Sequence, residues 1–221
     1  QHIAYLLMVA AVITSCGEKK QTSEFPDWAW ADFQRPEGIN PIVSPDTTTV
    51  FYCPMRQDSV AWESSDTFNP AATIYDGKVV VLYRAEDNSA VGIGSRTSRL
   101  GYAYSDDGLH FNRMTVPVFY PADDNQKELE WPGGCEDPRV AVTDDGLYVM
   151  LYTQWNRKQA RLAVATSRDL QIWEKYGPAF AKAYGGRFFD EFSKSASIVT
   201  KLVDGKQVIA KIDGKYWMYW G

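Results

Sequence analysis

Tyr75-Asp76-Gly77-Lys78-Val79-Val80-Val81-Leu82-Tyr83-Arg84 couples an Asp-Gly turn to a run of β-branched, apolar and aromatic residues. Asp and Gly tolerate the positive φ angles of a tight hairpin, and Val, Leu and Tyr suit a pleated surface, so the stretch reads as a turn and the strand leaving it. The pattern recurs at Asp145-Gly146, followed after Leu147 by Tyr148-Val149-Met150-Leu151-Tyr152-Thr153, and at Asp213-Gly214, followed after Lys215 by Tyr216-Trp217-Met218-Tyr219-Trp220-Gly221. The three turns lie 69 and 68 residues apart. A second motif repeats in step: Arg99-Leu100-Gly101-Tyr102-Ala103-Tyr104-Ser105-Asp106-Asp107 with Phe111 matches Arg161-Leu162-Ala163-Val164-Ala165-Thr166-Ser167-Arg168-Asp169 with Trp173, at an offset of 62. Two motifs with nearly one period define a unit of about 65 residues, enough for a four-stranded antiparallel sheet.

Units of that kind are β-propeller blades; a β-sandwich is the alternative, and its strands would not repeat in this way. No stretch after residue 40 sustains a helical period, and further Asp-Gly turns at Asp107-Gly108 and Asp204-Gly205 extend the all-β reading. Fewer than three units fit between Asn40 and Gly221, whereas closure takes at least about four blades. The expectation is a C-terminally truncated propeller of about three blades over residues 31–221, ending on an apolar strand.

Composition bounds the function. The chain has 221 residues, 45% hydrophobic and 23% charged, with a net charge of −5 and no basic run, which argues against a nucleic-acid partner. Fourteen per cent aromatic content, including 8 Trp and 13 Tyr, suits sheets and also sugar-binding clefts, where a flat ring covers the apolar face of a pyranose.

Residues 3–14 (IAYLLMVAAVIT) form an uncharged, mostly apolar run that is too short to span a membrane and suits a signal-peptide core. It leads into Ile13-Thr14-Ser15-Cys16, which resembles a bacterial lipobox. The expectation is therefore a lipoprotein signal over residues 1–16 with lipidated Cys16, a polar tether over residues 17–30, a lipid anchor as the only membrane attachment, and a cell-envelope location. Cys53 and Cys135 then remain, either paired or as buried thiols, and the sequence leaves that choice open. No cysteine or histidine spacing suggests a metal site.

Trp131-Pro132-Gly133-Gly134-Cys135-Glu136-Asp137-Pro138-Arg139 is the densest concentration of site-forming residue types. Taken alone, Glu-Asp-Pro-Arg reads as a turn with a surface ion pair. The repeat changes that reading. Asn69-Pro70 and Asp137-Pro138 occupy equivalent strand starts 68 residues apart. In a propeller, equivalent strand starts converge on the axis, so Asn69 and Asp137 are expected to face one another. Arg84, Arg99 and Arg139 are candidates to hold sugar hydroxyls or an anion there, and Trp131 is a candidate stacking ring.

Asn40-Pro41-Ile42-Val43, Thr67-Phe68-Asn69-Pro70-Ala71-Ala72, Leu82-Tyr83-Arg84-Ala85, Gly134-Cys135-Glu136-Asp137-Pro138-Arg139 and Gly214-Lys215-Tyr216, in this order, resemble glycoside hydrolase family 130. The resemblance covers most of residues 33–221 and implies a five-bladed propeller acting on β-mannosides, as an inverting β-mannosidase or as a phosphorylase. It implies that Asp137 is the catalytic acid and that Asn69 and Arg84 line the subsite of the terminal mannose. Arg139 would hold the carboxylates or a sugar hydroxyl, with Glu136 either in the site or structural. Lys211 aligns with a phosphate ligand of the phosphorylases, and Lys194 is a further candidate. The implied partner is a β-mannoside oligosaccharide, with no cofactor, and with inorganic phosphate as co-substrate only in a phosphorylase.

The favoured function is an exo-acting, inverting β-mannosidase, because a secreted enzyme has no assured phosphate supply and would lose a sugar phosphate product. A phosphorylase making mannose 1-phosphate is the alternative, and a non-catalytic sugar-binding lipoprotein is a second one. A water-activating carboxylate is expected beyond Gly221.

Overall fold

A computed structural model describes residues 34–221. The signal sequence, Cys16 and the tether lie outside the described residues. The described chain is almost entirely β. A small hairpin, β1 (Phe51–Cys53) with β2 (Asp58–Val60), precedes β3 (Asp66–Tyr75), β4 (Lys78–Glu86), β5 (Ser98–Ser105) and β6 (Asn112–Arg113). A four-residue helix α1 (Lys127–Glu130) leads to β7 (Gly134–Val142), β8 (Tyr148–Trp155), β9 (Ala160–Ser167) and β10 (Glu174–Pro178). Short strands follow: β11 (Ser197–Ile198), β12 (Thr200–Val203), β13 (Lys206–Ile209), β14 (Lys211–Ile212), β15 (Lys215–Tyr216) and β16 (Met218–Tyr219).

The sequence repeat maps onto two successive antiparallel meanders, β3-β4-β5-β6 and β7-β8-β9-β10. At the β3–β4 hairpin Asp76 and Gly77 have φ of 50° and 72°, the left-handed pair that a two-residue turn requires. Asp145-Gly146 differs: only Gly146 is left-handed (φ 82°), and the Thr143 amide donates to the Leu147 carbonyl across a longer loop. The third copy forms no full-length strand. After Asp213-Gly214 the strands pair through β14–β15 and β11–β16, so among the described residues two four-stranded units are complete and the third copy is partial.

Two parallel bridges connect the units, Ser98 to Gly134 and Val142 to Val208. Gly134 is obligatory at the first of these: its φ is +119°, and a Cβ would stand 2.2 Å from the Ser98 carbonyl oxygen. One buried cluster joins Val80, Leu82 and Tyr102 of the first meander to Val140, Met150 and Tyr152 of the second. The opposite face of the first meander (Val81, Tyr83, Ala103) packs under Trp62, and that of the second (Leu151, Leu162) under Ala196. Alternating residues of each central strand thus enter different cores, which is why the strands read as continuous apolar runs. Among the described residues the strands close no ring. Cys53 and Cys135 are buried free thiols.

Candidate active site

The site grows from one irregularity that both meanders share. Between Phe68 and Ala71 of β3, and between Glu136 and Arg139 of β7, the ladder register shifts, so that Asn69-Pro70 and Asp137-Pro138 bulge out of the pairing. Proline cannot donate to a ladder, and Asn and Asp tolerate the left-handed conformation that ends it; φ is 44° at Asn69 and 51° at Asp137. In a regular strand Glu136 and Asp137 would face opposite sides. The bulge turns both toward Arg84.

The Asn69 amide Nδ2 donates to Asp137 Oδ1 at 2.8 Å, across the 68-residue offset. Arg84, 3% exposed, uses its whole guanidinium. Nη1 donates to Asp137 Oδ1 (3.0 Å), Nη2 to Glu136 Oε1 (2.8 Å) and Glu86 Oε1 (2.6 Å), and Nε to Ser98 Oγ (3.0 Å). The Phe68 ring lies 4.6 Å from its Cζ. Both contacts to Asp137 fall on Oδ1, and Asp137 Oδ2 takes part in none of the cluster's hydrogen bonds.

Burial pushes the Glu136 carboxyl up to about 7. Arg84 opposes that rise, Asp137 reinforces it, Lys194 opposes it and Glu86 reinforces it. A carboxyl raised above its ordinary 4.5 keeps in the folded state a proton that the unfolded chain releases. The stability this group contributes is therefore fully present below about pH 4.5 and lost as pH rises through 7. Relative to Glu136→Gln, the wild-type protein should lose stability on the order of 3 kcal/mol across that window. Chemical denaturation of both proteins at pH 4.5, 6 and 8 measures it, and parallel curves would contradict it.

The other sequence candidates divide. Arg99 is not part of the group. It is fully buried, donates to Asp87 Oδ2 (2.9 Å) and the Thr97 carbonyl (3.3 Å), and contacts Cys53 Sγ at 3.5 Å. Strand parity is the reason: Ser98 pairs across from Glu86, and its neighbour Arg99 faces the other side with Ala85. Arg139 does not hold the carboxylates. It lies one ladder step further along β7, donates to the Pro138 carbonyl (2.8 Å) and lines a cleft with Pro70, Ala72 and Gln207. Trp131 is half-buried at the end of α1, and none of the cluster's hydrogen bonds involves it. Lys194 is exposed and near enough to influence Glu136, while Lys211 is exposed with Nζ 4.8 Å from the Tyr216 ring centre.

Sequence reading overlooked Glu86 and Ser98. Both were accessible by period-two alternation, since Glu86 follows Arg84 on the same face of β4 and Ser98 is its cross-strand partner.

Comparison with known proteins identifies the family. The family model described as beta-1,4-mannooligosaccharide phosphorylase, glycoside hydrolase family 130, matches residues 34–221. A 1,2-beta-oligomannan phosphorylase of Thermoanaerobacter sp. (strain X514) is 36% identical over 152 residues, covering 67% of this chain and 46% of the relative. A crystal structure from Bacteroides thetaiotaomicron VPI-5482, provisionally described as a glycosidase, is 99% identical with a TM-score of 0.87, over 90% of this chain and 57% of that one. Another is 70% identical with a TM-score of 0.86, over 89% and 55%. It comes from work stating that the GH130 family of mannoside phosphorylases contains glycoside hydrolases targeting beta-1,2 mannosidic linkages in Candida mannan. The chain spans about half the length of the curated relatives it matches. With the ordered motifs, the two repeated bulges and the family match over residues 34–221, this chain belongs to glycoside hydrolase family 130.

Proposed function

We propose that the intact protein is an exo-acting, inverting β-mannosidase acting on β-1,2-linked mannosides, with the two meanders as blades of a five-bladed propeller and Asn69 and Asp137 beside its axis. The observation that carries this reading is the meeting of Asn69, Arg84 and Asp137, 68 and 53 residues apart in sequence, on one carboxylate oxygen. Asp137 is assigned the acid that protonates the leaving glycosidic oxygen, with Asn69 and Arg84 orienting it and the terminal sugar. Glu136 is not the base: it shares one guanidinium with Asp137, whereas an inverting base stands about 6.5–9.5 Å from the acid to admit water.

Two observations favour hydrolysis over phosphorolysis. Arg84 meets three carboxylates, Glu86, Glu136 and Asp137, and an acidic site disfavours a phosphate nucleophile. The relative at 70% identity comes from the work describing hydrolases that target β-1,2 linkages, while those at 36% and 32% are named phosphorylases. All three names refer to β-1,2 linkages, which is the basis for the linkage proposed here.

The same proposal places the enzyme at the bacterial cell envelope through lipidated Cys16, and takes inorganic phosphate as unnecessary. Incubation of the intact enzyme with β-1,2-mannobiose, with and without phosphate, is expected to release mannose at equal rates. Phosphate-dependent mannose 1-phosphate would establish the phosphorylase instead. No turnover of β-1,2- or β-1,4-mannobiose would favour a sugar-binding lipoprotein.

A further inference from the structure

Glu86 is an expensive residue to keep where it stands. It is completely buried; its Oε1 accepts from Arg84 Nη2 and from Ser98 Oγ (3.2 Å), while Oε2 has no hydrogen bond and only an Arg96 guanidinium at 3.5 Å. Arg96 is itself paired with Asp66. A half-satisfied buried carboxylate is destabilising, and a core residue of similar volume would avoid that cost. Pairing with Arg84 occupies Oε1 alone, and stability does not account for the uncompensated Oε2.

Geometry gives a reason for the carboxylate. Arg84 reaches Asp137 and Glu136 through two different amino groups, and a long side chain with free rotamers would not hold both contacts unaided. Glu86 and Ser98 grip the guanidinium from the β4–β5 side, at Nη2 and Nε, leaving Nη1 directed at Asp137. Glu86 lies two residues from Arg84 on the same strand face, so the grip is set by the strand itself.

We propose that Glu86 is a positioning residue of the β-mannoside site: it fixes Arg84 from behind, so that the guanidinium holds Glu136 and Asp137 together in working orientation. The proposal rests on the function assigned above. Its charge has a second consequence. The charged groups around Glu136 are Arg84 and Glu86 on β4, Asp137 on its own strand and Lys194 from the segment before β11, with Arg96 behind Glu86. Glu86 is one of the two carboxylates in this set that help Glu136 retain its proton.

Two substitutions in the intact enzyme separate positioning from packing. Glu86→Gln keeps the volume and an acceptor for Arg84 but removes the charge. The carboxyl infrared band that disappears in Glu136→Gln should titrate at lower pH in Glu86→Gln than in wild type, because one of the two negative charges that help Glu136 keep its proton is gone. Glu86→Ala removes the grip and should lower kcat by about 100-fold with little change in KM. A Glu86→Gln enzyme with the wild-type Glu136 titration overturns the proposal, as does a folded Glu86→Ala enzyme with unchanged kcat. Should Glu86→Ala not fold, the Glu86→Gln comparison decides alone. Should wild-type enzyme turn over no β-mannoside, the assigned function fails, and the infrared titration still tests the coupling of Glu86 to Glu136.

Discussion

Asp137→Asn in the intact enzyme is expected to lower kcat on β-1,2-mannobiose by about 10²–10⁴-fold while the protein remains folded, because a positioned general acid contributes on that scale. Asparagine keeps the side-chain oxygen that accepts from Asn69 Nδ2 and Arg84 Nη1, so the tie between the two bulges survives. What is lost is the proton that Oδ2 would deliver. Arg84 keeps two carboxylate partners, Glu86 and Glu136, so no buried cation is stranded. The thermal transition should therefore stay close to that of wild type.

The acid role can be separated from mere binding by varying the leaving group. An aryl β-mannoside with a strongly acidic phenol needs little proton donation, so the deficit of Asp137→Asn should shrink markedly on that substrate. An equal deficit on both substrates would assign Asp137 to binding, and unimpaired turnover of mannobiose would remove it from the site.

Much of this arrangement was legible in the sequence because it rests on local chemistry. Asp-Gly turns need positive φ, and the three copies near 68-residue spacing located the repeat. The pairing of Asn69 with Asp137 followed from that repeat, since equivalent positions in stacked meanders come together. Arginine identity carried less information. Arg84 and Arg99 look alike in sequence, yet the β4–β5 register places Arg84 opposite Leu100 and Arg99 opposite Ala85, on opposite faces. A single residue of register decides whether a guanidinium meets the carboxylate pair or a separate buried aspartate, Asp87. Arg139 misses the carboxylates for a related reason: it follows the bulge at Asp137-Pro138, and a bulge shifts everything after it by one position. The third repeat, at Asp213-Gly214, kept its turn but not its strand, because a strand needs partners that an isolated turn motif does not specify.

Arg84→Met is expected to have the largest effect on stability, with the sign of its pH dependence fixed by the cluster. Methionine approximates the aliphatic length of arginine but leaves Glu86, Glu136 and Asp137 without the cation they share. Removing one partner of a buried ionic group costs about 3–5 kcal/mol, because the remaining charge stays desolvated. Glu136, already pushed up to about 7 by burial, loses the main influence opposing that rise, so its folded-state value climbs further. A carboxyl whose folded value exceeds its unfolded one retains its stabilising contribution at low pH and loses it as pH rises through the folded value. The stability gap between Arg84→Met and wild type should therefore be small near pH 4.5 and widen as pH rises past about 7, so that it is larger at pH 8. Urea denaturation at those two pH values reads the difference directly, and adding Glu136→Gln to Arg84→Met should recover part of the loss at pH 8 and almost none at pH 4.5. A gap of the same size at both pH values would locate the damage in lost packing against Phe68, whose ring covers the guanidinium, and not in the stranded carboxylates.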